Sequence, residues 1–188
     1  IPAAATSLDV SRPHLGPSAY WRLPTLCWFS CSDTFLRLLC VGGAVAAVML
    51  VAGVAPMLAA SVCWAFYLSL VVVGGVFLSF QWDALLLETG LLAIILCPLT
   101  LLPRLSRETT TPAIPLWLLR FLLFKLMFLS GYTKLASGDW TWLNMTALDF
   151  HFWTQPLPTG VGWFAGQLPS WLLRVACFLM FVIALVVP

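Results

Sequence analysis

Charged side chains are scarce in this sequence: Asp, Glu, Lys and Arg together make up 9% of its 188 residues. A soluble domain of this size carries about 25%. The nine basic and seven acidic residues leave a net charge of only +2, too little and too evenly balanced for a surface that follows a phosphate backbone. The composition therefore excludes an ordinary soluble globule and a nucleic-acid-binding protein.

The residues that build metal and cofactor sites are equally sparse. The two histidines, His14 and His151, lie far apart, and no Cys/His cluster has the spacing of a zinc site. A serine nucleophile elbow, a glycine-rich phosphate loop and a haem-ligand pair are also absent from the sequence. We therefore predict neither a metal nor a cofactor. Cys27 and Cys31, four positions apart, could form a disulfide only if their side of the membrane is oxidising.

Apolar residues, by contrast, make up 62% of the chain, with ten tryptophans and thirteen phenylalanines. Aromatic rings concentrate where membrane helices meet water. Residues 38–82 contain no charged side chain, a stretch too long for one span at about 20 residues per crossing. The sequence predicts an all-α, polytopic transmembrane bundle of about five spans, at residues 36–54, 58–80, 84–102, 116–135 and 171–187.

The segments between the spans set the domain organisation. Residues 1–35 are mixed in polarity and contain prolines, so we expect an interfacial amino-terminal arm. Four transmembrane helices follow in residues 36–135, with a polar loop at 103–115 that is rich in Pro and Thr. Residues 136–170 are predicted to be a loop lying in the membrane interface, with a short amphipathic helix around residues 141–152. The fifth helix occupies residues 171–188. Because the chain begins at Ile1 and ends at Pro188 directly after an apolar run, we expect a processed or partial chain.

This topology places several polar residues on one face of the membrane. Charges at the ends of spans are costly unless they are paired or hydrated, so a functional site is one interpretation. The alternative is structural: cations reach out to the interface while acids pair inside the bundle. The predicted membrane-face polar cluster comprises Asp33, Arg37, Gln81, Trp82, Asp83, Glu88, Lys134, Asp139, His151 and Gln155.

Two further cations lie inside the fourth predicted span. Lys125 is the more costly because it lies nearest the middle of its helix. Arg120 and Lys134 are about 40° apart around the helix, whereas Lys125 points away from Lys134. The span therefore presents cations to two different neighbours.

Several strings resemble the lipase maturation factor family of endoplasmic reticulum membrane proteins. They are PTLCWF, SDT and LRLLC within residues 24–40, FLSFQWDALLLETG at 77–90 and RFLLFKLMFLSGYTK at 120–134. HFWTQPLP at 151–158 is similar to the family's His-Tyr-Glu-Thr-Gln-Pro signature, with Phe152 and Trp153 replacing its aromatic and its acid. The resemblance implies a membrane scaffold that helps dimeric lipases reach their active fold. Family members also have a further helix before this region and a large lumenal domain after it, on which that role is thought to depend.

A shorter string, GYTKLASGDW at residues 131–140, resembles vitamin K-dependent carboxylase-like membrane domains. In the carboxylase, the lysine matching Lys134 is thought to act as a base towards the reduced quinone. This resemblance makes Lys134 a weak catalytic candidate. We otherwise expect a non-catalytic protein.

Three functional hypotheses follow. The first is a folding factor in the endoplasmic reticulum membrane that assists the folding or assembly of client lipases. The second is an accessory subunit of a larger membrane complex, with the mitochondrial inner membrane as one location. The third is a quinone- or lipid-linked enzyme using Lys134. In each case membrane lipids are expected partners, and nucleic acids are not.

Overall fold

The computed structural model describes residues 4–102, 113–157 and 159–187, and every regular element within these ranges is helical. The prediction of an all-α fold is confirmed. The predicted polar loop falls largely on residues 103–112, outside the described residues. The α-helices are α1 (Ala4–Leu15), α2 (Ala19–Arg22), α3 (Asp33–Val51), α4 (Pro56–Gly74), α5 (Gln81–Leu96), α6 (Ala113–Ala136), α7 (Trp140–Leu143), α8 (Ala147–Thr154), α9 (Gly160–Gly166) and α10 (Ser170–Leu185).

Three helices in the described part of the chain are long and apolar enough to cross a membrane: α3, α6, and α4 with the turn that follows it. Their 19 to 24 residues extend about 28–36 Å at 1.5 Å per residue, close to the hydrocarbon thickness of a bilayer. The bent pair α9 and α10 would make a fourth span. The structure thus gives three or four spans where the sequence predicts about five.

The difference in count comes from α5 and α10, which have only 16 residues each, and α10 reaches spanning length only together with α9. Helix α5 ends because Cys97 adopts an extended conformation immediately before Pro98. A residue that precedes proline is sterically excluded from the helical region, so the apolar sequence beyond Leu96 cannot continue the helix. The predicted third span, residues 84–102, is therefore shortened at its carboxyl end.

The chain divides into two compact units, Ile1–Leu119 and Arg120–Pro188. In the first unit, α3 and α4 form a hairpin joined by residues 52–55. Ala55 takes a left-handed conformation with a φ of 43°, and its N–H donates to the Leu101 carbonyl at 2.7 Å. Pro56 then begins α4, where its missing N–H leaves no helical hydrogen bond unmade.

The two helices of this hairpin approach closely at a glycine pair. A methyl group on Gly42 would come within 2.7 Å of Phe66 Cε2, and the Cys63 thiol donates to the Gly43 carbonyl at 3.7 Å. Small residues at such crossings allow membrane helices to pack. A second pair of adjacent glycines, Gly74 and Gly75, lies at the end of α4. Gly75, with a φ of 52°, ends the helix and has no neighbour within 4 Å of where a methyl group would lie.

The amino-terminal arm is helical and packs against this hairpin. Leu8 of α1 forms a buried cluster with Cys27 and with Leu39 of α3. The arm is therefore attached to the first unit by apolar contacts. Its predicted position in the membrane interface stays a prediction.

In the second unit, α6 and α10 pack through a glycine. A methyl group on Gly131 would lie 3.0 Å from Cβ of Ala184 and 2.8 Å from a Leu185 methyl carbon. The predicted helix over residues 141–152 is divided into α7 and α8. Met145, between them, has a φ of 58°, a left-handed conformation that no helix can continue through.

Adjacent glycines in α3 offer a matched test of helix packing. Gly42→Ala should destabilise the first unit relative to Gly43→Ala by about 1 kcal/mol or more, because only the Gly42 methyl overlaps Phe66. Both changes bring the same gain in helix propensity, about 1 kcal/mol. Denaturant unfolding in mild detergent would measure the difference. Equal midpoints for the two variants would contradict the proposed close approach.

Candidate functional site

A buried carboxylate joins α4 to α5. Asp83 is only 3% exposed, and the Tyr67 hydroxyl donates to its Oδ1. Its Oδ2 accepts from the Phe80 backbone N–H at 2.9 Å. Asp83 lies in the first turn of α5, where the unpaired N–H groups of the helix favour negative charge. Both oxygens of the carboxylate therefore have donors, as a buried charge requires.

A second contact between α4 and α5 lies one to two turns further along α5, at Leu87 and Gly90. The Trp64 ring N–H donates to the Leu87 carbonyl at 2.9 Å. A methyl group on Gly90 would lie 3.1 Å from Trp64 Cδ1, so the absent side chain gives the indole its space. The string QWDALLLETG thus supplies both a carboxylate and a glycine to the face that packs against α4.

The amino-terminal arm is hydrogen-bonded to α4 at a buried serine. Ser69 is 2% exposed, and its hydroxyl accepts from the Leu26 backbone N–H at 3.0 Å while donating to the Ala65 carbonyl at 2.7 Å. The Thr25 hydroxyl donates to the Ser69 carbonyl at 3.1 Å. These bonds join two strings that are 43 positions apart in the sequence.

The remaining predicted residues of α3 and α5 lie on exposed surface. Asp33 and Arg37 occupy the first two turns of α3, after Ser32 caps the helix by accepting from the Phe35 N–H at 3.2 Å. Both side chains are exposed. A shared role for them with Asp83 stays a prediction.

At the start of α5, Gln81 is exposed, and the exposed ring of Trp82 stacks on Phe80 at 4.5 Å between centroids. Glu88 lies in the second turn of α5 with its side chain exposed, unlike that of Asp83. The structure therefore separates Asp83, which faces α4, from the other predicted polar residues of this helix.

In the second unit, Lys134 lies in the last turn of α6 and is half-buried. Its ammonium group donates to the Ser130 carbonyl at 2.9 Å and to the Ser130 hydroxyl at 2.8 Å. It also lies 5.5 Å from the centre of the Trp142 ring, within the range of a cation–π contact. Lys134 thus links the end of α6 to α7.

The other predicted polar residues of this unit bond within their own segments. Asp139 caps α7: its Oδ1 accepts from the Thr141 backbone N–H and from the Thr141 hydroxyl, both at 2.9 Å. The side-chain amide of Gln155, the residue that follows α8, contacts Nε2 of His151. The first and last residues of the string HFWTQ are therefore partners.

The two predicted intramembrane cations both lie on α6. Arg120 is exposed, and Lys125, near the middle of this 24-residue helix, is half-buried. That these cations face two different neighbours of the helix stays a prediction.

The cysteine pair before α3 is present as thiols. The Cys31 thiol donates to the Cys27 carbonyl at 3.0 Å. Burial raises the pKa of Cys31, and the neighbouring Cys27 and Asp9 raise it further. Across residues 4–102, 113–157 and 159–187, no three His, Cys, Asp or Glu side chains converge as metal ligands.

Three residues that shape the first unit were not among the predicted site residues: Trp64, Tyr67 and Ser69. A signal was available, since Tyr67 and Ser69 are polar groups within an uncharged apolar span. Buried hydroxyl groups need hydrogen-bond partners, so each indicated a partner elsewhere in the fold.

The described helices, their apolar surfaces and their internally bonded polar groups define a helical integral membrane domain. The chain belongs to the lipase maturation factor family, because the model of the lipase maturation factor transmembrane domain matches residues 1–188. It is 42% identical over 174 residues to lipase maturation factor 2 of Gallus gallus, covering 88% of this chain and 24% of that protein. The family resemblance of the sequence is confirmed.

Two human relatives give a similar result. Identity is 41% over 185 residues to lipase maturation factor 2, covering 89% of this chain and 26% of that protein. Identity to human lipase maturation factor 1 is 40% over 170 residues, covering 88% of this chain and 30% of that protein. The chain thus spans about a quarter to a third of the length of these relatives. No solved structure matches it.

Removing one hydroxyl tests the buried carboxylate. Tyr67→Phe should destabilise the first unit by about 1–3 kcal/mol, because an oxygen of buried Asp83 loses its donor. Tyr132→Phe, which makes the same change at an exposed tyrosine, should have little effect. Denaturant unfolding in detergent would compare the free energies of unfolding of the two variants. If Tyr67→Phe lost no more stability than Tyr132→Phe, the hydrogen bond from Tyr67 to Asp83 would not contribute to stability.

Two serines of α4 provide a test of arm docking. Ser61 and Ser69 each donate to the carbonyl four residues earlier, but only Ser69 also accepts from the arm. Ser69→Ala should cost about 1 kcal/mol and make proteolysis of residues 20–31 about fivefold faster. Ser61→Ala should leave the cleavage rate unchanged. If Ser69→Ala also left it unchanged, the arm would be held by apolar contacts alone.

Proposed function

We propose that this chain is the membrane domain of a non-catalytic folding factor that helps client lipases reach their active form in the endoplasmic reticulum membrane. The observation that carries the proposal is the family match across residues 1–188, together with about 40% identity to lipase maturation factors 1 and 2. The relatives' name supplies the client class. In this proposal the chain provides the membrane-embedded scaffold of a longer protein.

The surroundings of Lys134 support a structural role for the residue most suggestive of chemistry. A general base needs a free lone pair within reach of the proton that it removes. The Lys134 amine contacts a carbonyl, a hydroxyl and an aromatic face, which are the neighbours that hold an ammonium group in place. We therefore assign Lys134 to the contact between α6 and α7.

The competing proposal, an accessory subunit of a larger membrane complex, rests on the surfaces of the spans. Only 11–17% of the residues in the three spanning windows are buried within the chain. Surfaces of this kind suit neighbouring helices as well as lipids. Native purification in mild detergent followed by mass spectrometry would separate the proposals. Recovery in fixed stoichiometry with respiratory or other membrane-complex subunits would overturn the lipase proposal.

A domain exchange tests the folding-factor proposal directly. The matching region of human lipase maturation factor 1 would be replaced by this chain and expressed in cells that lack the factor. We expect secreted lipase activity per lipase molecule to return to the level given by the unmodified human protein. The control is the same protein carrying an unrelated helical membrane domain, which should leave the lipase inactive.

The abundance of the chimaera decides how a negative result is interpreted. Blotting and microscopy would measure its amount and location beside the parent protein. A chimaera present at the parental level in the endoplasmic reticulum, yet unable to restore lipase activity, would contradict the proposal. Activity with the unrelated domain as well would show that the membrane portion contributes only anchoring.

A further inference from the structure

Between α6 and α10, three short helices expose large apolar side chains. We call residues 140–166, which hold α7, α8 and α9, the aromatic platform. A patch of this kind is unfavourable in water and marks an interaction surface. The side chains, each between 49% and 82% exposed, are Trp140, Phe150, Trp153, Leu157, Val161, Trp163 and Phe164.

The exposed side chains point outward because the inner face of the platform is already occupied. A methyl group on Gly166 would lie 3.3 Å from Cβ of Phe152, and one on Gly162 would lie 3.9 Å from Phe152 Cδ1. The two glycines are one helical turn apart, so α9 lies directly against α8. Phe164, on the opposite side of α9, and Trp163, on its flank, stay outside this contact and are exposed.

The platform is held close to the membrane by short connections. Only residues 137–139 separate it from α6, a spanning helix, and residues 167–169 separate it from α10. Three residues extend at most about 10 Å. In addition, Trp142 of α7 packs edge-on against Phe181 of α10 at 6.1 Å. The platform therefore lies at the level where α6 leaves the bilayer.

The direction of α9 agrees with a surface position. The axes of α9 and α10 are bent by 114° at their junction. In this interpretation α10 is the part of the bent pair that enters the bilayer, and with α10 along the membrane normal α9 lies within about 25° of the membrane plane. A helix in this orientation places one face in the head groups and the other towards the acyl chains.

The charge of the segment identifies the kind of lipid. Residues 137–169 contain no Lys or Arg, and their acidic groups are Asp139 and Asp149. Attraction to anionic lipids requires basic residues near the surface. The flanking cations lie outside the segment: Lys134 is bonded to Ser130 and lies against the Trp142 ring, and Arg174 is in α10. Trp and Phe bind at the interface through their rings and require no lipid charge.

We infer that the aromatic platform is inserted in the interface of a zwitterionic phospholipid bilayer, with Val161, Trp163 and Phe164 of α9 reaching the upper acyl chains. This gives the predicted interfacial segment a defined orientation and a lipid preference. It is independent of any client. The platform then anchors the ends of α6 and α10 at a fixed depth.

An environment-sensitive fluorescent amino acid at Phe164, in the full chain reconstituted into phosphatidylcholine vesicles, tests the inference. Phosphatidylcholine brominated near the top of its acyl chains should quench this residue at least about threefold more than lipid brominated near the chain ends. Aqueous iodide should quench it weakly. The same residue placed at exposed Ser137 provides the control and should be quenched by iodide.

Every other pattern overturns the inference. Strong iodide quenching at Phe164 without lipid quenching would place the platform in water. Protection from both quenchers would show that protein, either a second copy or another segment, covers the face. Replacing part of the phosphatidylcholine by anionic phosphatidylglycerol should leave the lipid quenching unchanged, and an increase would contradict the zwitterionic preference. Circular dichroism would confirm that the labelled chain keeps its helical content.

Discussion

The first unit is organised around one buried negative charge. The Asp83 carboxylate lies in a region otherwise packed with apolar side chains, so its two oxygens need donors from nearby segments. The Tyr67 hydroxyl comes from α4 and the Phe80 N–H from the turn before α5, and both must point to the same place. This requirement fixes the rotation of α5 against α4, which the non-directional packing of apolar side chains leaves open.

The other polar contacts of this unit follow from that rotation. With α5 held in place, Trp64 reaches the Leu87 carbonyl beside Gly90. Ser69 lies further along the same helix and holds the amino-terminal arm by its hydroxyl. Helix α4 thus contributes three polar side chains that bond to neighbouring segments, Trp64, Tyr67 and Ser69, and α5 contributes Asp83. In an environment without water, these few directional bonds distinguish one arrangement of apolar helices from another.

The second unit uses aromatic contacts where the first uses a carboxylate. Lys134 holds α7 through the Trp142 ring, and the same indole packs against Phe181 of α10. The glycines of α9 let it lie against Phe152, so the remaining rings of the platform face outward. The family signature thereby acquires a physical meaning. His151 of α8 contacts Gln155, the residue that follows the helix. The departures from the signature, Phe152 and Trp153, are apolar residues that pack against Gly166.

Composition and strings read along the chain were enough to predict the membrane environment, the all-α class, most helix positions and the family. Asp83 and Lys134 stood out as candidate site residues, since they are charges in apolar segments. The partners of these two residues follow from the tertiary structure. Tyr67 and Ser69, polar groups in an apolar span, indicate that partners exist but not which ones. The neighbour that each of them and Trp142 meets depends on how every helix is rotated and where it ends, as at Cys97 and Met145. Those choices are set by contacts between distant segments, which no local pattern records.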